Sequence, residues 1–402
     1  MRRDAPMQRD ALIDALRGAA LFGIIVVNIQ SFVWGLSGPA LGVLYESSST
    51  ADVATLLLTA LLFEYKFYPI FCFCFGYGFA IQTRRSIARG ADVHTRFTRR
   101  MNFMLFMGVM HGVFIWFGDI LARYAIAGYI LRRHIRKGPR ALLQVTKFWL
   151  VVVVISGVAL AVLVGAGTVD PAESATQSEI ARMDSEHIFA IYTESGYLDA
   201  TIRRVADFSL VASTYVLVLP QVMLFFLFGA LVAQLSLLRF PARYRLFWWR
   251  VFWLGLVVGL PINIAYAALH VSIASDPWMP TSVWQVLLST FAPAMSLTYV
   301  AAAALLHSSV CGKALIALLA PAGRVALTLY IGESVSMMLL LNGFGFGLGA
   351  TFAQFELFVT AVAVFALLLA AAHLMRRLDI PAPLEGIWRR YTYATVTQEK
   401  NT

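Results

Sequence analysis

Residues 99–132, RRMNFMLFMGVMHGVFIWFGDILARYAIAGYILR, place His111, Asp119 and Arg123 inside sequence that otherwise reads as lipid-soluble. An ionised side chain at a bilayer centre costs about 3 kcal/mol on insertion scales, so such groups face a bundle interior or a wet cavity and carry function. Histidine near neutral pH takes a proton from a hydroxyl or amine, or briefly carries an acyl group itself. A carboxylate orients an imidazole or binds an acceptor. These types make His111 the chemical centre and Asp119 its candidate partner. The eight residues between them span about 12 Å on one straight helix, so direct contact is not expected there.

The surrounding elements explain where these groups must sit. Met101 to Phe117 and Asp119 to Leu131 are two apolar runs, about 25 and 20 Å long as helices. Neither crosses a hydrocarbon core of about 30 Å. The Gly118-Asp119 turn therefore ends within protein or a water-filled vestibule, as non-lipid-facing breaks must. Asp119 then stands at a helix N-terminus, where a carboxylate caps free N–H groups. Arg123, four residues on, lies on the same face, and an Asp119–Arg123 pair is the natural expectation.

The chain as a whole is 59% hydrophobic and 13% charged, against about 25% charged in soluble domains. It reads as an all-α, polytopic membrane bundle, one domain over 1–402. About ten transmembrane spans are expected, at 18–36, 54–82, 101–118, 119–131, 142–166, 211–235, 246–269, 282–306, 323–342 and 352–375. The net charge of +10 lies in short clusters between spans, at 84–100, 132–140, 239–250 and from Arg376. That is the positive-inside pattern, and no nucleic-acid partner is expected. Segments 37–53, 270–281 and 343–351 contain no Lys or Arg. An even number of spans puts both termini, including a tail at 376–402, in the cytoplasm. The basic start with Arg2, Arg3 and Arg9 lacks a small-x-small cleavage site and reads as leading into a retained first span.

Segment 168–210 is the one extended polar region, with Ile180, Met183, Ile188, Ile191 and Tyr192 near helical spacing. It reads as an extracytoplasmic amphipathic segment, lying on the outer surface or capping an external cavity. Glu64, Lys66 and Pro69 break the second span near 64–69, the first two as a buried pair or an interfacial collar. Gly76 and Gly78 in FCFCFGYGFA allow close backbone approach and lack the βαβ context of a dinucleotide site. Cys72, Cys74 and Cys311 read as buried free thiols, and no metal cluster is evident.

The segments RDALIDALRGAALFGIIVVNI (9–29), FYPIFCFCFGYGFA, GVMHGVFIWFGDILARYAIAG, AGRVALTLYIGES (322–334), GFGFGLG and APLEGIWRRYTY resemble the YeiB family of bacterial inner-membrane proteins. The motifs run nearly end to end and in order. The D-x-L-R-G stretch at Asp14 to Gly18 is also similar to membrane acyltransferases of the glucosaminide acetyltransferase type. That wider resemblance implies a bundle where cytosolic acyl-CoA or acetyl-CoA meets an extracytoplasmic or lipid-linked small-molecule acceptor, in contact with membrane lipids. One acyltransferase branch carries a histidine eleven residues after the first-span basic residue; here Arg17 is followed by Asn28.

Two functions follow as expectations. In the first, His111 and Asp119 are catalytic in acyl transfer, and Asp14, Arg17, Asn28, Arg123 and Glu333 bind substrate, with Arg17 facing CoA phosphates. In the second, His111, Asp119, Arg123 and Glu333 form the polar path of a transporter or lipid-handling protein without chemistry. Glu333 is expected to pair with Arg123 or Lys66 or to line that path. Oligomeric state is left open, a dimer included.

Overall fold

A computed structural model describes residues 10–37, 42–44, 48–90, 92–134, 137–166, 171–275 and 283–393, and the chain there is helical with no strands. In order these helices are α1 (Ala11–Asn28), α2 (Ser31–Trp34), α3 (Thr50–Leu62), α4 (Phe67–Ala88), α5 (Val93–Phe114), α6 (Leu121–Leu131), α7 (Pro139–Ala166), α8 (Pro171–Glu194) and α9 (Tyr197–Ser213). There follow α10 (Tyr215–Gln234), α11 (Arg245–Ser275), α12 (Val283–Phe291), α13 (Met295–Leu306), α14 (Val310–Arg324), α15 (Ala326–Leu341), α16 (Gln354–Arg377) and α17 (Pro383–Tyr393). Their starts are chemically marked. Asp10 accepts from Leu12 N at 3.2 Å, Ser49 and Asp52 form a reciprocal capping box, and Asp92 and Ser309 cap α5 and α14.

Among the described residues, seven helical stretches are long and apolar enough to cross a membrane, eight if the bent pair α14–α15 is one span. The protein is a multi-pass helical membrane bundle. Among the described residues, helix covers most of each expected apolar segment, but α5 and α6 fall outside the seven, as two short arms of a hairpin. The span expected at 323–342 is α15, preceded by α14 at a bend of 81° at Val325, so the two count together as at most one span. The break near 64–69 occurs at 63–66, where Tyr65 has φ +60. Pro69 itself sits in the first turn of α4, where its missing N–H costs nothing. A second break, Ala292–Ala294, divides α12 from α13. Glu64 and Lys66 are both buried but do not pair with each other. Glu64 takes the Tyr266 hydroxyl at 2.6 Å and faces His270 at 3.4 Å, while the Lys66 amine donates to the Ala60 carbonyl.

The bundle centre depends on close backbone approach between α4 and α10. A Cβ on Gly76 would lie 1.9 Å from the Phe226 carbonyl oxygen, and one on Gly229 would lie 2.0 Å from that of Phe73. Small residues at such crossings are how membrane helices pack without a hydrophobic drive. Gly76→Val is therefore expected to lower the thermal midpoint in detergent, with a destabilisation larger than the roughly 1–3 kcal/mol of ordinary overpacking. Gly386→Ala, whose Cβ meets nothing within 4 Å, leaves that midpoint unchanged.

Candidate functional site

The hairpin of α5 and α6 builds the site. The α5 helix ends at Phe114, and the His111 carbonyl accepts both Ile115 N at 2.9 Å and Trp116 N at 2.8 Å, which stops the helix and turns the chain back. Asp119 is thereby returned to its own helix. Its Oδ1 lies 2.9 Å from His111 Nδ1, with both side chains fully buried. The expectation of no direct His111–Asp119 contact held only for a straight helix, and the reversal at 115–120 removes that premise.

Asp119 Oδ2 accepts from Ala122 N at 2.6 Å, the capping bond expected at the start of α6. Gly108 permits this fit: a Cβ there would lie 2.3 Å from Ala122 N and 2.5 Å from Asp119 Oδ2. With Nδ1 held by the carboxylate, His111 Nε2 is buried without a hydrogen-bond partner among the described residues. In a neutral imidazole, a carboxylate at Nδ1 selects the tautomer with its proton there, which makes Nε2 the lone-pair acceptor.

The hairpin tip is enclosed. Trp116 and Phe117 are buried, the Trp116 indole donates to the Ser31 hydroxyl at 3.0 Å, and the Phe208 ring of α9 fills the space beside Gly112. Arg123 does not pair with Asp119, because the carboxylate is already occupied by His111 and the α6 N-terminus. Its guanidinium stands 5.0 Å over the Tyr215 ring instead. Glu333 is buried with Oε1 unpartnered among the described residues, so the expected pairing with Arg123 or Lys66 is not formed. Asn28 is the last residue of α1, half-buried, and its carbonyl accepts from the Ser31 hydroxyl at 2.7 Å.

Asp14 and Arg17 lie at the other end of α1. Arg17 donates to Asp14 at 3.2 Å and to the Cys74 carbonyl at 3.2 Å, and Arg324 approaches the second Asp14 oxygen at 3.5 Å. Gly78 makes room for the Arg17 guanidinium, and Gly18 and Gly323 let α1 and α14 touch backbone to backbone. The glycines of these motifs thus serve close packing.

This end opens into a cavity of about 1160 Å³. Nine arginines line it (Arg17, Arg84, Arg85, Arg89, Arg96, Arg100, Arg239, Arg324 and Arg389) against three carboxylates (Asp10, Asp14 and Glu385). Burial pushes the Asp10 carboxyl up, opposed by the Tyr77 hydroxyl that donates to it at 2.9 Å. Helix α17 forms one wall: Glu385 caps α15 through Leu327 N at 2.8 Å and Thr328 N at 3.2 Å, and the Trp388 ring lies 4.5 Å from the Arg100 guanidinium. Met104, Leu121, Tyr124 and Tyr330 also line the cavity. The Tyr330 ring is 5.0 Å from that of His111, and its hydroxyl accepts from Ile120 N at 3.2 Å. Tyr330 is therefore the partition between the basic cavity and the buried His111–Asp119 pair, and Glu333 lies one helical turn beyond it.

Sequence reasoning did not single out Tyr330, Glu385 and Trp388, although they lie within the AGRVALTLYIGES and APLEGIWRRYTY stretches. Among the described residues, no group of three or more His, Cys, Asp or Glu is arranged to hold a metal.

The family model described as "Protein of unknown function (DUF418)" matches residues 232–395. The chain is 25% identical to "Uncharacterized protein YxaH" of Bacillus subtilis (strain 168), across 96% of this chain and 94% of that protein. It is 28% identical to "Uncharacterized protein YeiB" of Escherichia coli (strain K12), across 33% of each. The chain is thus similar to that family model over its C-terminal part and to the YxaH and YeiB proteins. The match to the family model takes in α11 to α17, and hence Tyr330, Glu333 and the α17 wall of the cavity. A third relative, from Bacillus acidopullulyticus, is 34% identical across 31% of this chain and 33% of its own length, and is named only by its size and gene position.

Proposed function

We propose that this YeiB-like protein is a membrane acyltransferase that moves an acyl group from a polyanionic thioester donor of the acyl-CoA type to a hydroxyl or amine acceptor. The observation that carries this reading is the fully buried His111–Asp119 pair, with Nε2 unpartnered, one aromatic ring away from an arginine-lined cavity. Arginines at the cavity mouth suit the phosphates of CoA by charge-assisted bonds, and Arg100 with Trp388 offers a flat stacking surface. Nε2 accepts the acceptor's proton as the acceptor heteroatom attacks the acyl carbonyl. The C–S bond breaks, and the leaving thiolate takes that proton from Nε2. Asp119 holds Nδ1–H and stabilises the imidazolium in between.

By the positive-inside rule the basic cavity faces the cytoplasm of a bacterial inner membrane, with both termini on that side. The acceptor then enters from the hairpin-tip side, where Arg123 and Glu333 supply polar contacts. Titration of acetyl-CoA and CoA into detergent-purified protein tests the donor half. Binding is expected, weakened about tenfold or more by Arg96→Ala, the loss of one charge-assisted bond of about 1.5–3 kcal/mol. No binding of either ligand removes the reading.

A second reading rests on a different observation. Two spans break at 63–66 and 292–294 around buried Glu64, Lys66 and His270, joined by the Ser296 hydroxyl donating to the Lys66 carbonyl at 2.7 Å. Broken helices with buried charge suit a transport path, and solute flux in proteoliposomes without thiol release would favour it.

A further inference from the structure

We infer that Arg204 on α9 is a positioning residue for the His111–Asp119 pair, acting by capping the helix that carries His111. Four carbonyls at a helix C-terminus lack intrahelical partners, and α5 ends three residues after His111. The Phe114 carbonyl there receives two donors from one neighbouring element, Arg204 Nη1 at 2.9 Å and the Tyr197 hydroxyl at 2.9 Å.

Arg204 is placed to do this and little else. It is among the largest fully buried side chains, and its guanidinium carbon lies 5.3 Å from the Tyr197 ring and 5.8 Å from the Phe344 ring. Among the described residues it also donates to the Thr201 hydroxyl at 3.1 Å, within α9. The neighbouring carboxylate, Asp207, is engaged by Arg203 at 2.7 Å and by the Tyr192 hydroxyl at 2.8 Å, which ties α9 to α8. Arg204 therefore has no acid of its own among the described residues, and the negative end of α5 compensates its charge. A cation at a helix C-terminus is favourable, up to about 2 kcal/mol when partly buried.

The consequence reaches the site because the α5 end is where the chain reverses. His111 contributes the carbonyl that receives Ile115 N and Trp116 N, and the turn that follows brings Asp119 back to Nδ1. Fixing Phe114 fixes the start of that turn. Helix α9 thus acts as a clamp on the hairpin tip, through Arg204 and Tyr197.

This inference rests on the acyltransferase reading for its kinetic consequence but not for its structural one. The test is the proton NMR signal of His111 Nδ1–H in histidine-labelled protein in detergent, assigned by its loss in His111→Gln. Wild type is expected to show a low-field, slowly exchanging proton. Arg204→Ala should lose it or broaden it while CoA binding in the basic cavity, on the opposite face, is retained. Arg204→Lys, which keeps the charge at the helix end, should restore the signal in part. Where transfer is measurable, Arg204→Ala lowers kcat about 100-fold with KM for the donor unchanged, the scale of a 1 Å misplacement. Should Arg204→Ala not fold, Tyr197→Phe removes the second donor alone and is expected to broaden the same signal. An unchanged His111 signal in whichever of these two variants folds overturns the inference. A wild type that gives the signal but transfers no acyl group would count against the function and leave the positioning role standing.

Discussion

Asp119→Asn is expected to reduce acyl transfer about 10³–10⁴-fold while the protein remains folded, an effect of the size seen when a buried carboxylate that sets an imidazole tautomer is removed. The asparagine oxygen still accepts from Ala122 N, so the α6 cap at 2.6 Å survives. Its amide nitrogen then points at His111 Nδ1, now 2.9 Å from a carboxylate oxygen, and can only donate to it. The imidazole proton moves to Nε2, and the atom needed as base becomes a donor. Asp119→Ala gives a different signature, losing the cap as well and costing about 0.5–2 kcal/mol of stability. Comparing the thermal midpoints of the two variants with their turnover separates chemistry from packing: transfer near the wild-type rate in a folded Asp119→Asn protein would remove the pair from the mechanism.

Gly108→Val is the second large effect. Any Cβ at 108 meets backbone, Ala122 N at 2.3 Å, as well as Asp119 Oδ2 at 2.5 Å. Backbone cannot rotate away, so α6 must move off α5 and the carboxylate is pushed from the imidazole. Turnover is expected to fall at least about 100-fold, with destabilisation beyond the roughly 1–3 kcal/mol of common overpacking. At Gly112 the obstacle is the Phe208 ring at 2.4 Å, a side chain on another helix that can shift. Gly112→Ala is therefore expected to be milder in both thermal midpoint and rate. Equal effects at the two positions would contradict the account of the hairpin.

How much of this was legible depends on how local the cause is. The hairpin could be read because arm length against bilayer thickness is a property of the sequence alone, and the buried tip and the Asp119 cap follow from it. The Asp14–Arg17 contact is equally local, the two residues being three apart on one helix. The His111–Asp119 bond was not, since it depends on α5 stopping at Phe114 in place of running on. The stop is enforced by Arg204 and Tyr197, some ninety residues away in the chain. Arg123 failed the other way: its spacing from Asp119 suited a pair, but a carboxylate with both oxygens engaged had nothing to offer. Tyr330 and Glu385 lie in two of the family-like stretches, but nothing in those stretches says which residue faces the site, and only the packing of α15 and α17 singles them out.

The central claim is tested most directly by a single-turnover experiment. Protein reconstituted in liposomes with its basic face exposed to isotopically labelled acetyl-CoA would be followed for free thiol and for label beyond the membrane, comparing wild type with His111→Gln. The account predicts acceptor-dependent thiol release by wild type, and donor binding without release in His111→Gln, with a rate loss of about 10²–10⁴. Thiol release by His111→Gln at the wild-type rate would contradict it.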